Sequence, residues 1–507
     1  MKKFSLLFIA VLAMPYVYAQ DINDALRYSQ DEVQGTARYR AMSGAFGALG
    51  GDMSAISINP AGSSVFTNGH AAISLSNYST KNEIGYFNGS NSSSDSKFDL
   101  NQAGAVFVFN NTNPDSAWRK FSIGVSYDKT SNFDSSWGIR GINTNSNSIG
   151  NYFLDYAQGT YLDQISAIDG ESLSTAYSEI NRLYGFSNQQ AFLGYESYIL
   201  EPFADTDDNT QYRSNIVGNN LDQSYTYAAT GFNGKFSFNA STQIGDNLYF
   251  GLNLNSHFIN YDKFTDLQER NSNAGSLVKE VRFQNSLSTV GNGFSFQVGG
   301  IAKLNEDFRV GLSYNSSTWY TISEETTQYL GTVRNEGGAN LTQIIDPRVV
   351  NVFPDYKLQT PGKITGSLAY IFGTSGLISF DYSLKDYGNT KFKPTSDPYF
   401  ASQNDIMSTV LKNASTYRLG GEYRIKNASL RAGYRFEESP YEDDAYYGNL
   451  NGYSVGLGYS FGNVKVDFAY DYAQRDYNNQ LYSVGLTDAA SFDSKNSNFT
   501  LTVGFTL

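Results

Sequence analysis

The chain has 507 residues, a formal net charge of −13 and no cysteine, which excludes disulfides and thiolate-held metals and, through phosphate repulsion, argues against nucleic acid as a partner. Charged residues make up 17% and hydrophobic residues 40%, against roughly 25% and 45–50% in soluble domains, while aromatics reach 15% with 39 Tyr and 35 Phe. That balance excludes a pair of ordinary soluble domains and suits a wall with lipid on one side and water on the other.

Lys2 and Lys3 precede the apolar run 4–13, and Val17-Tyr18-Ala19 offers a small-residue cleavage site before Gln20, so residues 1–19 read as a secretory signal peptide. No later run approaches the roughly 18–20 apolar residues of a spanning helix. Residues 21–42 are polar and predict at most a short helix. The next stretch, SGAFGALGGDMSAISINPAGSSVF (43–66), is small, Gly-rich and almost uncharged. Gly44, Gly47, Gly50 and Gly51 permit close backbone approach, which predicts a compact insert in a confined space, with a flexible spacer as the alternative. Residues 20–66 therefore form a candidate hatch.

From His70 the pattern changes to period two, as in strands with unlike faces. In FSIGVSYDK (121–129), Phe121, Ile123, Val125 and Tyr127 oppose Ser122, Gly124, Ser126 and Asp128, and similar segments recur along the chain. About fourteen can be counted: 70–79, 98–109, 119–128, 224–240, 247–262, 285–302, 307–320, 361–373, 375–388, 413–426, 427–437, 450–461, 463–475 and 498–507. Long connections (80–97, 129–223, 263–284, 321–360, 389–412, 438–449, 476–497) alternate with short ones (110–118, 241–246, 303–306, 374, 462, and none at 426/427). An even strand number with every long loop at one end predicts an all-β fold, a transmembrane antiparallel outer-membrane barrel over residues 67–507.

The connection 129–223 exceeds a passive loop. Between Gly170 and Tyr195 it has helical spacing, with Ala176, Ile180 and Leu183 near one face, followed by Phe186 and Phe192. Ile180, Leu183, Phe186 and Phe192 are candidate ligand-capture residues if exposed, and a packed external cap if not. Asp205, Asp207 and Asp208, and Glu437, Glu438, Glu442, Asp443 and Asp444, form acidic clusters that read as solvated surface rather than a calcium loop. His70 and His257 are the only histidines, a thin supply of haem ligands. No catalytic constellation, metal site or cofactor site emerges; Ser74 near His70 is the one candidate for an activated hydroxyl.

With the apolar face outward, Lys363, Arg418, Arg424, Arg431, Arg435 and Lys465 point into the lumen. Pairing with Glu422 and Asp467 would brace the wall. Arg418, Arg431 and Arg435 are kept as candidate anchors for a ligand carboxylate, through two-pronged hydrogen bonds.

The signal peptide, the Gly-rich run into Ser57-Ile58-Asn59-Pro60-Ala61-Gly62, the fourteen strands and Leu358-Gln359-Thr360-Pro361 before a strand resemble the FadL family of outer-membrane transporters for long-chain fatty acids and other hydrophobic compounds, in the branch found in Bacteroidetes. The resemblance implies a hatch that includes Asn59, Pro60, Ala61 and Gly62, a hydrophobic capture groove in the external loops and a kinked third strand that opens sideways to the membrane. Within 119–128, Gly124 is the only kink candidate. The implied function is passive uptake of a hydrophobic small molecule, with outer-membrane lipid and the barrel-insertion machinery as partners. A general porin and a scaffold barrel bound to an unidentified protein are the rival expectations.

Overall fold

The alternation read from the sequence becomes a closed wall. The computed structural model describes residues 22–113 and 115–507; the expected signal peptide lies outside the described residues. Helices α1 (Ile22–Ser29) and α2 (Ala37–Ala41) and 3-10 turns at Ser54–Ser57 and Pro60–Val65 come first. They are followed by β1 (His70–Tyr86), β2 (Gly89–Asn110), β3 (Trp118–Asn132) and β4 (Ser135–Asn143). Helices α3 (Ile149–Ala157), α4 (Leu173–Tyr184) and α5 (Phe186–Glu196), with the hairpin β5 (Leu200–Pro202) and β6 (Tyr212–Ser214), build a cap. The wall resumes with β7 (Leu221–Ile244), β8 (Leu248–Arg270), β9 (Val278–Lys303), β10 (Phe308–Asn315) and β11 (Trp319–Glu336). Next come β12 (Ala339–Ile345), β13 (Asn351–Val352), β14 (Tyr356–Gln359), β15 (Lys363–Phe372), β16 (Gly376–Asp386), the short β17 (Lys391–Lys393) and α6 (Pro398–Val410). The last strands are β18 (Asn413–Ile425), β19 (Ala428–Glu437), β20 (Leu450–Ser460), β21 (Val464–Gln480) and β22 (Ala489–Thr506).

Neighbouring strands pair antiparallel all the way round, and β22 returns to β1 with Thr506 opposite His70. Three staves are broken in the middle: β3 with β4, β10 with β11, and β12 through β15. Counted as single staves, they give a fourteen-stave closed barrel among the described residues.

Phe121, Ile123, Val125, Leu252, Leu254, Ile378, Phe380, Val455 and Leu457 are exposed on the outside, while Ser122, Ser126, Asn253, Ser379, Asp381 and Ser454 are buried on the inside. This is the two-faced wall that lipid outside and a polar lumen inside require. No described helix is long and apolar enough to cross a membrane; the strands do so instead.

The short turns fall where the sequence places them, but several predicted long loops are strand. β1 and β2 pair until Tyr86 meets Gly89, β8 and β9 until Arg270 meets Glu280, and β11 and β12 until Glu336 meets Ala339. Beyond the wall the inner face of these hairpins packs on the cap, with Ile84, Tyr86, Leu267, Phe283, Leu330 and Ile345 buried, while the outer face is polar (Lys81, Glu83, Gln268, Arg270), so the outward apolar set that betrays a membrane strand is missing.

Candidate functional site

Residues 22–66 fill the barrel interior. Gly35 exchanges hydrogen bonds with the Asn101 side chain (Nδ2 to the Gly35 carbonyl 2.6 Å), and Ala37 N–H donates to Thr502 Oγ1 at 2.7 Å. Asn101 is the extra residue of a bulge, because Ser74 faces Gln102 while Leu75 faces Leu100; bulges re-aim side chains in this way. Phe46 and Gly47 N–H both donate to Asp381 Oδ2 at 2.9 Å, and a Cβ on Gly47 would fall 2.0 Å from Ser367 Oγ, so only glycine lets the segment lie this close to the wall.

The Asn-Pro-Ala-Gly motif has a physical reading here. Asn59 Oδ1 caps the turn Pro60–Val65 by accepting from Ala61 N–H at 3.2 Å, and its Nδ2 donates to Gly47 O at 2.8 Å and Gly300 O at 3.0 Å. Pro60 starts the turn, Ala61 is fully buried, and Gly62 lies against Gly50, whose φ of +61° and 2.9 Å Cβ approach to Gly62 Cα exclude a side chain. Gly44 and Gly51 also turn through positive φ.

Charge pins this segment to the wall. Arg38 Nε lies 2.7 Å from Glu422 Oε2, Arg431 Nε reaches the same oxygen at 2.7 Å, and Arg424 takes Oε1 at 2.7 Å. Arg431 Nη1 also meets Asp467 at 2.7 Å, and Arg40 Nε meets Asp471 at 2.7 Å. Arg431 is thus part of the bracing network. Arg435 is half-buried, with Glu437 3.6 Å away. Arg418 is different: it is 6% exposed, and its Nε and Nη1 have no hydrogen-bond partner among the described residues.

A cavity of about 540 Å3 lies against this segment, and a smaller one of about 120 Å3 adjoins it; Asp31, Lys363, Lys385 and Arg418 line both. Arg435 lines the larger cavity, whose wall is rich in tyrosine (Tyr225, Tyr227, Tyr387, Tyr447, Tyr477) and in charged groups of both signs. Asp31 Oδ2 sits 2.8 Å from Lys363 Nζ and 3.3 Å from Lys385 Nζ. Enclosure by the barrel would raise its carboxyl, although the side chain is 46% exposed to the cavity, and the two ammonium groups outweigh that effect and hold it well below the usual carboxylate range. On neighbouring Glu32 burial dominates and pushes the carboxyl up.

The larger cavity reaches residues 131–135, where the third stave breaks. β3 pairs with β2 only from Lys120–Asn110 up to Asp128–Gln102, and its register against β7 slips between Lys129 and Ser131. Above that point side chains replace the ladder: Lys129 Nζ to Asp99 at 2.9 Å, Lys97 to Asp134 at 2.9 Å, and Asp95 Oδ2 accepting Ser136 N–H at 2.7 Å. Phe133 sits at the break, its ring 6.0 Å from Tyr28 of α1 and 5.5 Å from Tyr261. The register irregularity of this stave therefore lies above Gly124, the position at which the sequence reading expects a kink. Gly124 itself is in unbroken ladder between Val106 and Asn239, because a glycine whose neighbours both pair in register bends nothing.

In the cap, Ile180 and Phe192 are buried in its core, 6% and 0% exposed, and are not presented to solvent. Phe186 is half-buried against Tyr156 and Phe353, and Leu183 alone of the four is exposed, at 45%. Sequence reasoning missed Asp31, Lys385 and Phe133; residue 31 sits in a polar run with nothing to link it to lysines more than three hundred positions away.

No group of His, Asp and Glu among the described residues has a metal-holding arrangement. No curated protein matches the chain by sequence. By structure it is similar to a FadL homologue from Pseudomonas aeruginosa, at 12% identity and TM-score 0.54 over 94% of this chain and 99% of that one. It is also similar to the Pseudomonas putida toluene transporter TodX, at 14% identity and TM-score 0.52 over 94% and 99%. At that identity these likenesses establish the fold. A family model described as outer membrane protein transport protein (OMPP1/FadL/TodX) matches residues 209–507, more than half of the sequence. The chain is therefore an outer-membrane β-barrel that belongs to the OMPP1/FadL/TodX transport family.

Proposed function

We propose that the barrel carries hydrophobic or amphiphilic small molecules, long-chain fatty acids among them, passively across the outer membrane, with residues 22–66 acting as a hatch and the break in the third stave as a sideways exit into lipid. The observation that carries this reading is the cavity of about 540 Å3, walled by the lumenal segment and running to residues 131–135 where the ladder stops.

The driving force is transfer of apolar surface out of water, about 0.8 kcal/mol per CH2, or on the order of 12 kcal/mol for a sixteen-carbon chain before ordering and head-group desolvation subtract from it. A molecule held that well does not leave into water. It leaves into lipid, where its tail loses little, so an exit through the wall suits the energetics better than one through the periplasmic end.

A filled lumen argues against a general porin. The relative named a toluene transporter adds small aromatic hydrocarbons to the ligands worth testing, and the sequence resemblance alone supports the Bacteroidetes-type branch. The test is uptake of labelled hexadecanoate, hexadecane and toluene by cells with and without the protein, at matched surface expression. Faster uptake of at least one compound is expected. Equal rates for all three would overturn transport in favour of a scaffold with a protein partner.

A further inference from the structure

We propose that Glu269 is a proton-operated fastener of the external cap: protonated, it holds helix α3 down on the barrel mouth, and ionised, it releases the N-terminal end of that helix. Glu269 lies near the outer end of β8 and is 1% exposed. Its Oε2 accepts the N–H of Ile149, the first residue of α3, at 3.1 Å and Gln223 Nε2 at 2.7 Å, while its Oε1 is buried with no hydrogen-bond partner among the described residues. Gln223 extends the join, donating to Asn147 O at 2.9 Å and accepting from Tyr86 Oη at 2.6 Å. One carboxyl thus ties the start of α3 to β1, β7 and β8.

The surroundings favour the neutral form. Burying a polar group that is hydrogen-bonded costs little, whereas burying a charge costs much more unless a counter-ion meets it. The cations on the adjoining strands are each paired elsewhere: Arg140 with Asp222, Arg270 with Glu280 and Arg282 with Asp266. The phenols of Tyr86 and Tyr482 feel the Glu269 charge. Asp488 is held by the amides of Asn143, Asn145 and Asn147, and Asp155, the one charged residue of α3, is exposed. Burial therefore pushes the Glu269 carboxyl up to about 7, against the hydrogen bonds from Gln223 and Ile149. Its ordinary value is about 4.3, so the contribution to docking is fully present below that value and is lost as pH rises through about 7.

The fastener sits over the ligand cavity. Tyr152 and Phe153 of α3 pack on Tyr482 and Phe283, with ring centres 5.0 Å and 5.2 Å apart, and Tyr482 lines the larger cavity. Loosening α3 uncovers that end of the cavity, so the proposal rests on the uptake reading for its purpose but not for its test.

The experiment is hydrogen–deuterium exchange of the peptide spanning residues 147–158 in the full barrel in nanodiscs without ligand, with protection taken relative to the intrinsic exchange rate at each pH. Protection is expected to fall about tenfold or more between about pH 5.5 and 8.5, while the wall peptide 121–128 stays unchanged. Glu269→Gln keeps an acceptor for Ile149 and cannot ionise, so its protection is expected to stay flat. The other cap carboxyl raised by burial is Glu196 of α5, which accepts Ala167 N–H at 3.0 Å; a fall that persists in Glu269→Gln assigns the effect there and overturns the proposal. Protection that is flat in the wild type, or that grows as pH rises, overturns it without any variant, so misfolding of Glu269→Gln does not remove the test. Transport is not part of this readout, so failure of the fastener leaves the uptake reading standing, and equal uptake with and without the protein leaves the fastener standing.

Discussion

Arg38 of the lumenal segment and Glu422 of the wall form a buried ion pair at 2.7 Å, and the Glu422 side chain is 1% exposed. Because Arg424 and Arg431 converge on the same carboxylate, Glu422→Gln leaves three guanidinium groups around a neutral amide. Breaking a buried pair from one side costs about 3–5 kcal/mol. The barrel of this variant is expected to insert but to leak small ions through a loosened lumen, whereas Ser460→Ala, at a peripheral turn, is expected to stay closed. Single-channel recordings of both check this; a silent Glu422→Gln barrel would mean that the network does not hold the hatch.

The side-chain bridges across the third stave give a way to lock it. The natural chain has no cysteine, so Asp95→Cys with Ser136→Cys, placed where Asp95 accepts the Ser136 N–H at 2.7 Å, introduces a single disulfide. Oxidation is expected to slow uptake of labelled hexadecane at least about tenfold, an effect of 1.4 kcal/mol or more on the limiting step, and reductant is expected to restore it. Uptake that ignores the oxidation state would place the exit elsewhere in the wall.

Cap residues separate into support and surface. Ile180→Asp buries a charge in a packed core and is expected to lower stability by at least about 3 kcal/mol, seen as reduced surface yield and a lower unfolding temperature. Leu183→Asp, at an exposed position, is expected to leave both unchanged and to slow capture only at low ligand concentration. Loss of capture in Ile180→Asp at wild-type stability would contradict the packing described for the cap.

What was legible in the sequence follows from what is local. Val125 outward and Ser126 inward are neighbours, so period two reveals both faces, and the same rule turns Lys363, Arg418 and Arg431 inward. Their partners are not local. Glu422 meets Arg38 and Asp31 meets Lys363 only because the lumenal segment folds inside the wall, and no spacing records that. Helical spacing put Ile180 on an apolar face but was silent on whether anything covered it; the barrel mouth does. The break at Phe133 carries neither glycine nor proline, whereas the one before β15 carries Pro361, which is why the second has a sequence mark and the first has none.

Acidification acts on Asp31 in one direction. Its carboxyl is held below the ordinary value of about 3.9 by Lys363 and Lys385 against the opposing effect of burial. The charged form is therefore favoured in the docked state. The contribution is fully present above that ordinary value and is lost as pH falls through the depressed folded one. Lys235, His257, Tyr320 and Arg418 line the smaller cavity with this carboxylate, and the negative groups in the same lining are Glu32 and Asp128. Residues 28–34 are expected to keep their exchange protection between about pH 8 and 5, and to lose it only in strong acid below about 3. Release near pH 6 would mean that another group controls docking.

The seam between β1 and β22 closes the wall around its filling. These strands, at opposite ends of the wall in sequence, meet with His70 against Thr506 and close the ring, while residues 22–66 bond inside it to strands as far apart as β2, β8, β16, β18 and β22. The segment thus ties staves on opposite sides of the ring to one another, so the filling braces the wall as much as the wall confines the filling.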